Sequence, residues 1–491
     1  MKKRLNLVIA LLALWGTGYA QGQEPMRLSL QESINYALQH RPSLQATRNE
    51  QKIAKAQVGE IRAMGLPQID AAVEVGNNFV QQKTLLDPSA FGGAPDELDP
   101  FIITPEQLAS GQPITLTPAY STPEPQPGDG GLQAITFVQP YTGSAAITGS
   151  QLLFDGSYLI GLKAAKTYTE LSRKSTVQSE IEVAEQVSKA YYGVLVNGER
   201  MELLTQNLIR LDTLLFQTGV MFENGVAEKL DVDRLRVQLN NLKVERQKAE
   251  RLMQLSENLL KFQLGLNQSQ PILLTDKLAE VEVDMSKVNP QDFNYNNRIE
   301  YSLLETQRDL AELDLRNTKS GYLPKMYLNA RYGYSGVGST FSDVMDVRAG
   351  SNNTTNRNWF DFGYVGAQLQ VPIFDGLRKH YQVQQGKLAL ENTKLGFESL
   401  RQSINLELAQ ASAEITNALD VLASQKENMA LAEEIARVAK IKFQEGVGTN
   451  LEVVSAETDL REAQTNYYAA MYDALIAKVN LEKATGTLLT N

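Results

Sequence analysis

The sequence predicts a mainly α chain with a transmembrane β-barrel portion, built as two tandem copies of one unit with four membrane strands per chain. Three observations carry this. The 17 prolines leave two long gaps, from Pro140 to Pro271 and from Pro372 onward. Each gap has room for helices far beyond the globular norm, since an interior proline costs about 3 kcal/mol. Short segments between the helical blocks alternate with period two instead of 3.6. Several motifs recur in order at fixed offsets.

Residues 1–20 are expected to be a cleavable signal peptide. Lys2, Lys3 and Arg4 precede the apolar run 5–15, and Gly18 and Ala20 place small residues before a mature Gln21. That run falls short of the roughly 17–25 apolar residues a membrane anchor needs. No later run approaches this length, so a membrane-inserted form of the chain is not helical.

Composition narrows the chemistry. With no cysteine, disulfides, thiolate nucleophiles, Cys-containing zinc sites and a lipid-modified cysteine are excluded. Two histidines, His40 and His380, lie in different segments without a ligand pattern. Gly446-x-Gly448 follows a helix, not a strand, and lacks the remaining phosphate-loop fingerprint. No Ser/His/Asp constellation stands out, and neither enzymatic activity nor a cofactor or metal is expected. The excess of 57 Asp+Glu over 47 Lys+Arg argues against nucleic acid as a partner.

The first repeat is read as residues 21–275 and the second as 276–491, each in the order helix, strand, strand, long helix, tight turn, returning helix. Near-heptad spacing of Leu235, Leu239, Leu242, Ala249, Leu252 and Leu259, and of Leu431, Ile435 and Val438 followed by Tyr467, Ala470, Ala474, Ala477 and Leu481, predicts coiled-coil packing. The strands are expected near 67–79, 141–154, 326–334 and 358–373. In the last, Val365, Ala367, Leu369 and Val371 face one way, and Tyr364, Gly366, Gln368 and Gln370 the other. A strand between lipid and a wet lumen has this pattern, and so does a two-sided strand in a soluble sheet. Trp359, Phe360, Phe362 and Tyr364 cluster at one end, where an aromatic girdle is expected. Residues 86–140 hold ten of the 17 prolines and are expected to form an irregular loop without helix or ladder. Its counterpart, 336–357, is rich in Gly, Ser and Asn.

The repeat is visible residue by residue. Gly65-Leu-Pro-Gln-Ile69 is echoed by Tyr322-Leu-Pro-Lys-Met326, and Arg41 by Arg298, both at an offset of 257. Phe154-Asp155-Gly156 recurs as Phe374-Asp375-Gly376. Phe222-Glu-Asn-Gly-Val-Ala-Glu-Lys-Leu-Asp-Val232 matches Phe443-Gln-Glu-Gly-Val-Gly-Thr-Asn-Leu-Glu-Val453 at an offset of 221, as Gly265 does Gly486. Four strands cannot close a barrel, which takes at least about eight, and an open edge in lipid leaves backbone groups unsatisfied. Three copies supply twelve strands, and their six helical hairpins can continue as a hollow coiled-coil cylinder.

On these residues the chain resembles the TolC-like outer-membrane efflux protein family over essentially its whole mature length. The carriers are Leu66-Pro67 and Leu323-Pro324, Val371-Pro-Ile-Phe-Asp-Gly376, and the two tip motifs. The resemblance implies a homotrimer with a twelve-stranded barrel in Gram-negative outer-membrane lipid and a long periplasmic α-helical coiled-coil tunnel. It also implies a periplasmic membrane-fusion (adaptor) protein and an inner-membrane pump of RND or ABC type. The implied activity is that of an exit duct for tripartite efflux or type I secretion, passive and gated at the helical tip. A periplasmic or surface coiled-coil scaffold without a pore is the alternative.

The same resemblance implies adaptor docking at Gly225, Val226, Leu230, Gly446, Val447, Gly448 and Leu451, and a constriction at Glu452, Ser455, Asp231 and Phe443. The family carries two aspartates one helical turn apart at the constriction, where this chain has Glu452 and Ser455. Its closed-state latch uses a tyrosine, an arginine and an aspartate. Here Phe443 and Gly448 replace the first two and Asp231 matches the third, so a latch in this chain is expected to use other pairs.

Overall fold

The computed structural model describes residues 24–86, 97–121, 133–278, 293–347 and 358–489. The signal segment and parts of both loops lie outside the described residues. The chain divides into two compact units that cut across the tandem repeats, each built from both copies. One comprises 1–61, 157–321 and 374–491, the other 62–156 and 322–373.

The helical unit contains β1 (Met26–Leu28) and α1 (Leu30–His40). The next helix, α2 (Pro42–Ala63), begins on a proline at a position that needs no N–H. In the second unit, β2 (Gln68–Asn77), β7 (Tyr141–Phe154), β9 (Lys325–Gly338) and β10 (Trp359–Gln370) form an antiparallel sheet in the order β10-β9-β7-β2. The long helices are α4 (Gly156–Glu223, 68 residues), α5 (Lys229–Leu264, 36), α8 (Arg378–Gln444, 67) and α9 (Asn450–Thr485, 36). Parallel strand β8 (Ile272–Leu274) pairs with β1, and α6 (Ile299–Ser320) precedes β9. Among the described residues, no helix is long and apolar enough to cross a membrane.

The Pro-rich segment departs from expectation. β3 (Lys83–Leu86) pairs with β6 (Gln133–Thr136), β4 (Glu97–Leu98) pairs with β5 (Tyr120–Ser121), and α3 (Pro105–Ala109) lies between. The ladders are only two and four residues long and contain no proline, while Pro105 opens its helix, where its fixed φ is suited. In the second loop β9 continues to Gly338, and Thr340 caps α7 (Phe341–Met345).

The sheet register sorts side chains onto two faces, since residues directly opposite in antiparallel strands share a face. One face carries Ile69, Val73 and Val75 of β2, Ala145 and Ile147 of β7, Leu328, Tyr332 and Tyr334 of β9, and Val365, Ala367 and Leu369 of β10. The other carries Gln68, Asp70, Glu74, Ser144, Thr148, Asn329, Arg331, Gln368 and Gln370. Ile69, Val73 and Val365 are 73, 79 and 76% exposed, part of an apolar band of the kind that water does not tolerate bare, with Asp361 and Gln151 on the same face toward its ends. β2 and β10 are the sheet's two free edges.

Register also splits the four aromatics expected to form one girdle. Trp359 lies on the apolar face, whereas Phe360, Phe362 and Tyr364 lie on the polar face, opposite Ser335, Gly333 and Arg331. A period of two alternates even a dense aromatic cluster. Phe362 there sits 5.1 Å from the Arg331 guanidinium, while Tyr332 and Tyr334 supply aromatic surface to the apolar face. Trp359 is buried over Gly336 and Gly143, and its indole N–H donates to Val344 O at 3.0 Å. A Cβ on Gly143 would stand 2.8 Å from the indole. Gly143→Val is therefore expected to cost about 2 kcal/mol or more through overpacking, read as a lower midpoint for the heat-induced shift in cold-electrophoresis mobility. An unchanged midpoint would refute this packing.

In the helical unit α4 shares apolar clusters with α5 and α9, and α9 shares one with α8. This leaves α5 and α8 as flanks. The heptad readings are partly corrected here. Leu235, Leu239, Leu242 and Ala249 are buried, but Leu252, Leu259, Leu431, Ile435 and Val438 are exposed, and Ala432, Ala436 and Ala439 fill the α8 seam instead. Each flank has a second apolar stripe: Val237, Val244, Leu255 and Phe262 on α5, Leu388, Leu395, Leu431 and Val438 on α8. At about 100° per residue the α5 stripe lies opposite its buried leucines.

Candidate functional site

The two tips are built alike. After α4, Gly225 adopts φ 75° and its N–H donates to Phe222 O at 2.9 Å, while Val226 N–H donates to Met221 O at 2.8 Å. After α8, Gly446 adopts φ 74°, with Gly446 N–H to Phe443 O at 3.1 Å and Val447 N–H to Lys442 O at 2.9 Å. These are Schellman closures, in which a left-handed residue lets the chain satisfy the last helical carbonyls and turn. Val226, Leu230, Val447 and Leu451 are exposed around them, the two valines at 77 and 78%.

Gly448 has a separate reason to be glycine. A Cβ there would stand 2.9 Å from Lys442 Cβ and 3.1 Å from two backbone atoms. The position where the family resemblance implies an arginine thus has no room for a side chain.

Asp231 and Glu452 occupy equivalent places, each the third residue of a returning helix. Asp231 Oδ2 accepts from Glu228 N–H at 3.3 Å, and Glu452 N–H donates to Thr449 Oγ1 at 3.3 Å. Carboxylates in a first turn complement the helix dipole, so both have a structural role. Asp231 is half-buried, Glu452 and Ser455 are exposed, and Phe443 packs against the tip-proximal core.

Sequence reasoning missed the ties between repeats. Asn450, 5% exposed, donates from Nδ2 to Asp231 O at 3.2 Å, and its Oδ1 is buried without a partner. Further up, buried Asn207 donates to Gln464 Oε1 at 3.2 Å, Arg210 pairs with Glu457 at 3.8 Å, and Arg461 pairs with Glu245 at 3.9 Å. All join α9 to α4 or α5. Glu457 is thus engaged with a cation. The clue available in sequence was amide-bearing Asn207 and Gln464 within apolar heptads, the pattern of register-setting buried polar pairs. Among the described residues, no group of three or more His, Cys, Asp or Glu is placed to hold a metal ion.

Residues 295–487, most of the second repeat, match the family model described as outer membrane efflux protein. The chain is 22% identical to the outer membrane protein TolC of Vibrio cholerae, over 70% of this chain and 77% of that protein. It is 24% identical to the toluene efflux pump outer membrane protein TtgC of Pseudomonas putida, over 76% of each. Its fold is similar to the crystal structure of the outer membrane protein VceC from Vibrio cholerae, with a TM-score of 0.64 and 16% identity over 93% of this chain and 96% of that one. The matching family model, the relatives and the motifs repeated in both halves support a TolC-like outer-membrane factor, and the fold agrees with them.

Proposed function

We propose that this chain is the outer-membrane exit duct of a tripartite efflux or type I secretion system. It conducts small molecules or polypeptides passively across the periplasm and outer membrane of a Gram-negative bacterium, and it works as a homotrimer. The observation that carries this reading is that both units end in two dissimilar open flanks. The sheet has free edges β2 and β10 and a bare apolar face, and the helical layer has apolar stripes on α5 and α8. A heterologous contact of one copy's α5 with the next copy's α8 generates a ring when the rotation closes. The same step pairs β10 with a neighbouring β2, and three copies reach twelve strands. A pore-less scaffold has no use for an apolar sheet face with a polar, charged reverse side.

The tip residues Gly225, Val226, Leu230, Gly446, Val447, Gly448 and Leu451, all exposed except half-buried Gly448, are the proposed adaptor-docking surface. An inner-membrane pump of RND or ABC type supplies the energy through that adaptor. Glu452 lines the proposed periplasmic constriction, repeated three-fold as a carboxylate ring that favours cations.

Planar-bilayer recording tests the duct. The purified protein is expected to insert as discrete conductance steps. Recovery of the protein in the soluble fraction after osmotic shock would refute the reading. Glu452→Ala is expected to abolish cation preference and relieve block by multivalent cations, and unchanged selectivity would remove Glu452 from the constriction.

A further inference from the structure

We propose that the helical unit holds a binding groove for aromatic amphipaths bearing a carboxylate or sulfonate, on the wall facing the conduit. This rests on the duct reading and gives it a cargo class. The groove has a volume of about 600 Å³ between α4, α5 and α9. Gly193 and Val196 form its floor, Leu252 and Leu259 one wall, and Tyr468 and Tyr472 the other. An apolar cleft of this size with a few convergent polar groups is what drug-sized ligands occupy.

Two polar groups in it lack partners. Arg200 Nε and Gln263 Oε1 are buried with no hydrogen bond among the described residues. A buried guanidinium N–H without an acceptor is unfavourable, and an incoming oxyanion removes that deficit. None of the lining residues is acidic. The other cation, Lys189, is held by Glu185 at 2.7 Å, which leaves Arg200 as the group facing the anion. A neighbouring groove of about 440 Å³ shares Lys189 and Tyr472 but presents Glu414 and Asp473, so it repels the same ligand.

The groove's direction follows from helix geometry. Tyr191 donates to Leu28 O at 3.1 Å, so β1 covers that side of α4. At about 100° per residue Gly193, Val196 and Arg200 lie roughly 140–180° round from Tyr191, on the side β1 leaves open. In a closed ring with β1 outside, that side lines the lumen.

The test is current block in planar bilayers by naphthalene-1-sulfonate, with methanesulfonate as an anion lacking the ring. Wild type is expected to show saturable block by the aromatic sulfonate alone. Arg200→Gln, which removes the anion's partner, and Leu252→Glu, which places a carboxylate in a half-exposed wall position, are each expected to weaken block roughly tenfold. Unblocked conductance is expected to stay the same in both variants. Absence of saturable block, equal block in the variants, or equal block by methanesulfonate would overturn the groove. A protein that forms no channel overturns the duct reading and the groove with it, whereas a conducting channel indifferent to the sulfonate overturns the groove alone.

Discussion

Arg298→Ala is expected to destabilise the helical unit by about 3 kcal/mol, the low end for breaking a buried ion pair, and Arg41→Ala by clearly less. The two arginines are repeat-related, yet their surroundings differ. Arg298 is 5% exposed; its Nε pairs with Glu300 at 3.0 Å, Nη2 with Glu407 at 2.8 Å, and Nη1 donates to Ala484 O at 2.8 Å. It thus joins the start of α6 to α8 and to the end of α9. Burial works against its charge, but the hydrogen bonds to Glu300 and Glu407 prevail and hold its pKa above the ordinary value. Around Arg41, the residue equivalent to Glu407 is Gln186, which accepts from Nη2 at 2.8 Å, and the residue equivalent to Ala484 is Gln263. Arg41 Nη1 is buried without a partner and burial lowers the pKa. Removing Arg41 therefore removes a desolvation cost along with its bond, whereas removing Arg298 deletes a saturated cross-link. Denaturant unfolding of both variants, followed by helical circular dichroism, checks the ordering. Equal losses would show that these contacts do not set local stability.

How much of this was legible beforehand depended on whether the signal was local. The strands announce themselves because each is bounded by proline or glycine and the second half of β10 alternates; β7 was expected at 141–154 and occupies Tyr141–Phe154. The tip turns were equally plain, since glycine at φ near 75° is required by the turn itself. The four aromatics read as one girdle do cluster at one end of the strand, but the period of two divides them between faces. The α8 seam was misplaced for a different reason. Leu431, Ile435 and Val438 outrank Ala432, Ala436 and Ala439 in hydrophobicity, so pattern reading assigns the larger residues to the chain's own core. The alanines fill the internal seam, where helices approach closely, and the larger residues lie on the flank proposed to meet another copy. Asn450 and Arg210 were not legible at all, because their partners lie on other elements, 219 residues away for Asn450.

Those partners lead to the second large effect. The combined variant Arg210→Ala, Arg461→Ala is expected to raise resting single-channel conductance several-fold or more. Each arginine ties α9 to the first repeat's helices near the tip, and neither pair is fully buried; side-chain exposures are 39 and 21% for Arg210–Glu457 and 20 and 49% for Arg461–Glu245. Such pairs contribute only about 0.2–1 kcal/mol each, too little to matter for one chain's stability. In the proposed three-fold closure, however, the loss counts once per chain. About 1 kcal/mol per chain summed over three copies is about 3 kcal/mol, a shift of roughly 100-fold in a two-state closed-to-open equilibrium if the copies move together. Asn450 Nδ2 to Asp231 O remains as a residual tie, so adding Asn450→Ala is expected to increase the effect. Arg437→Ala supplies the control, because Arg437 pairs with Glu434 on the same helix at 2.6 Å and has no ion pair to another helix among the described residues. A combined variant that conducts like wild type, or an Arg437→Ala channel that opens equally, would remove these pairs from the gate and leave closure to the apolar packing of Val453, Ala456 and Leu460 against Leu235 and Leu239.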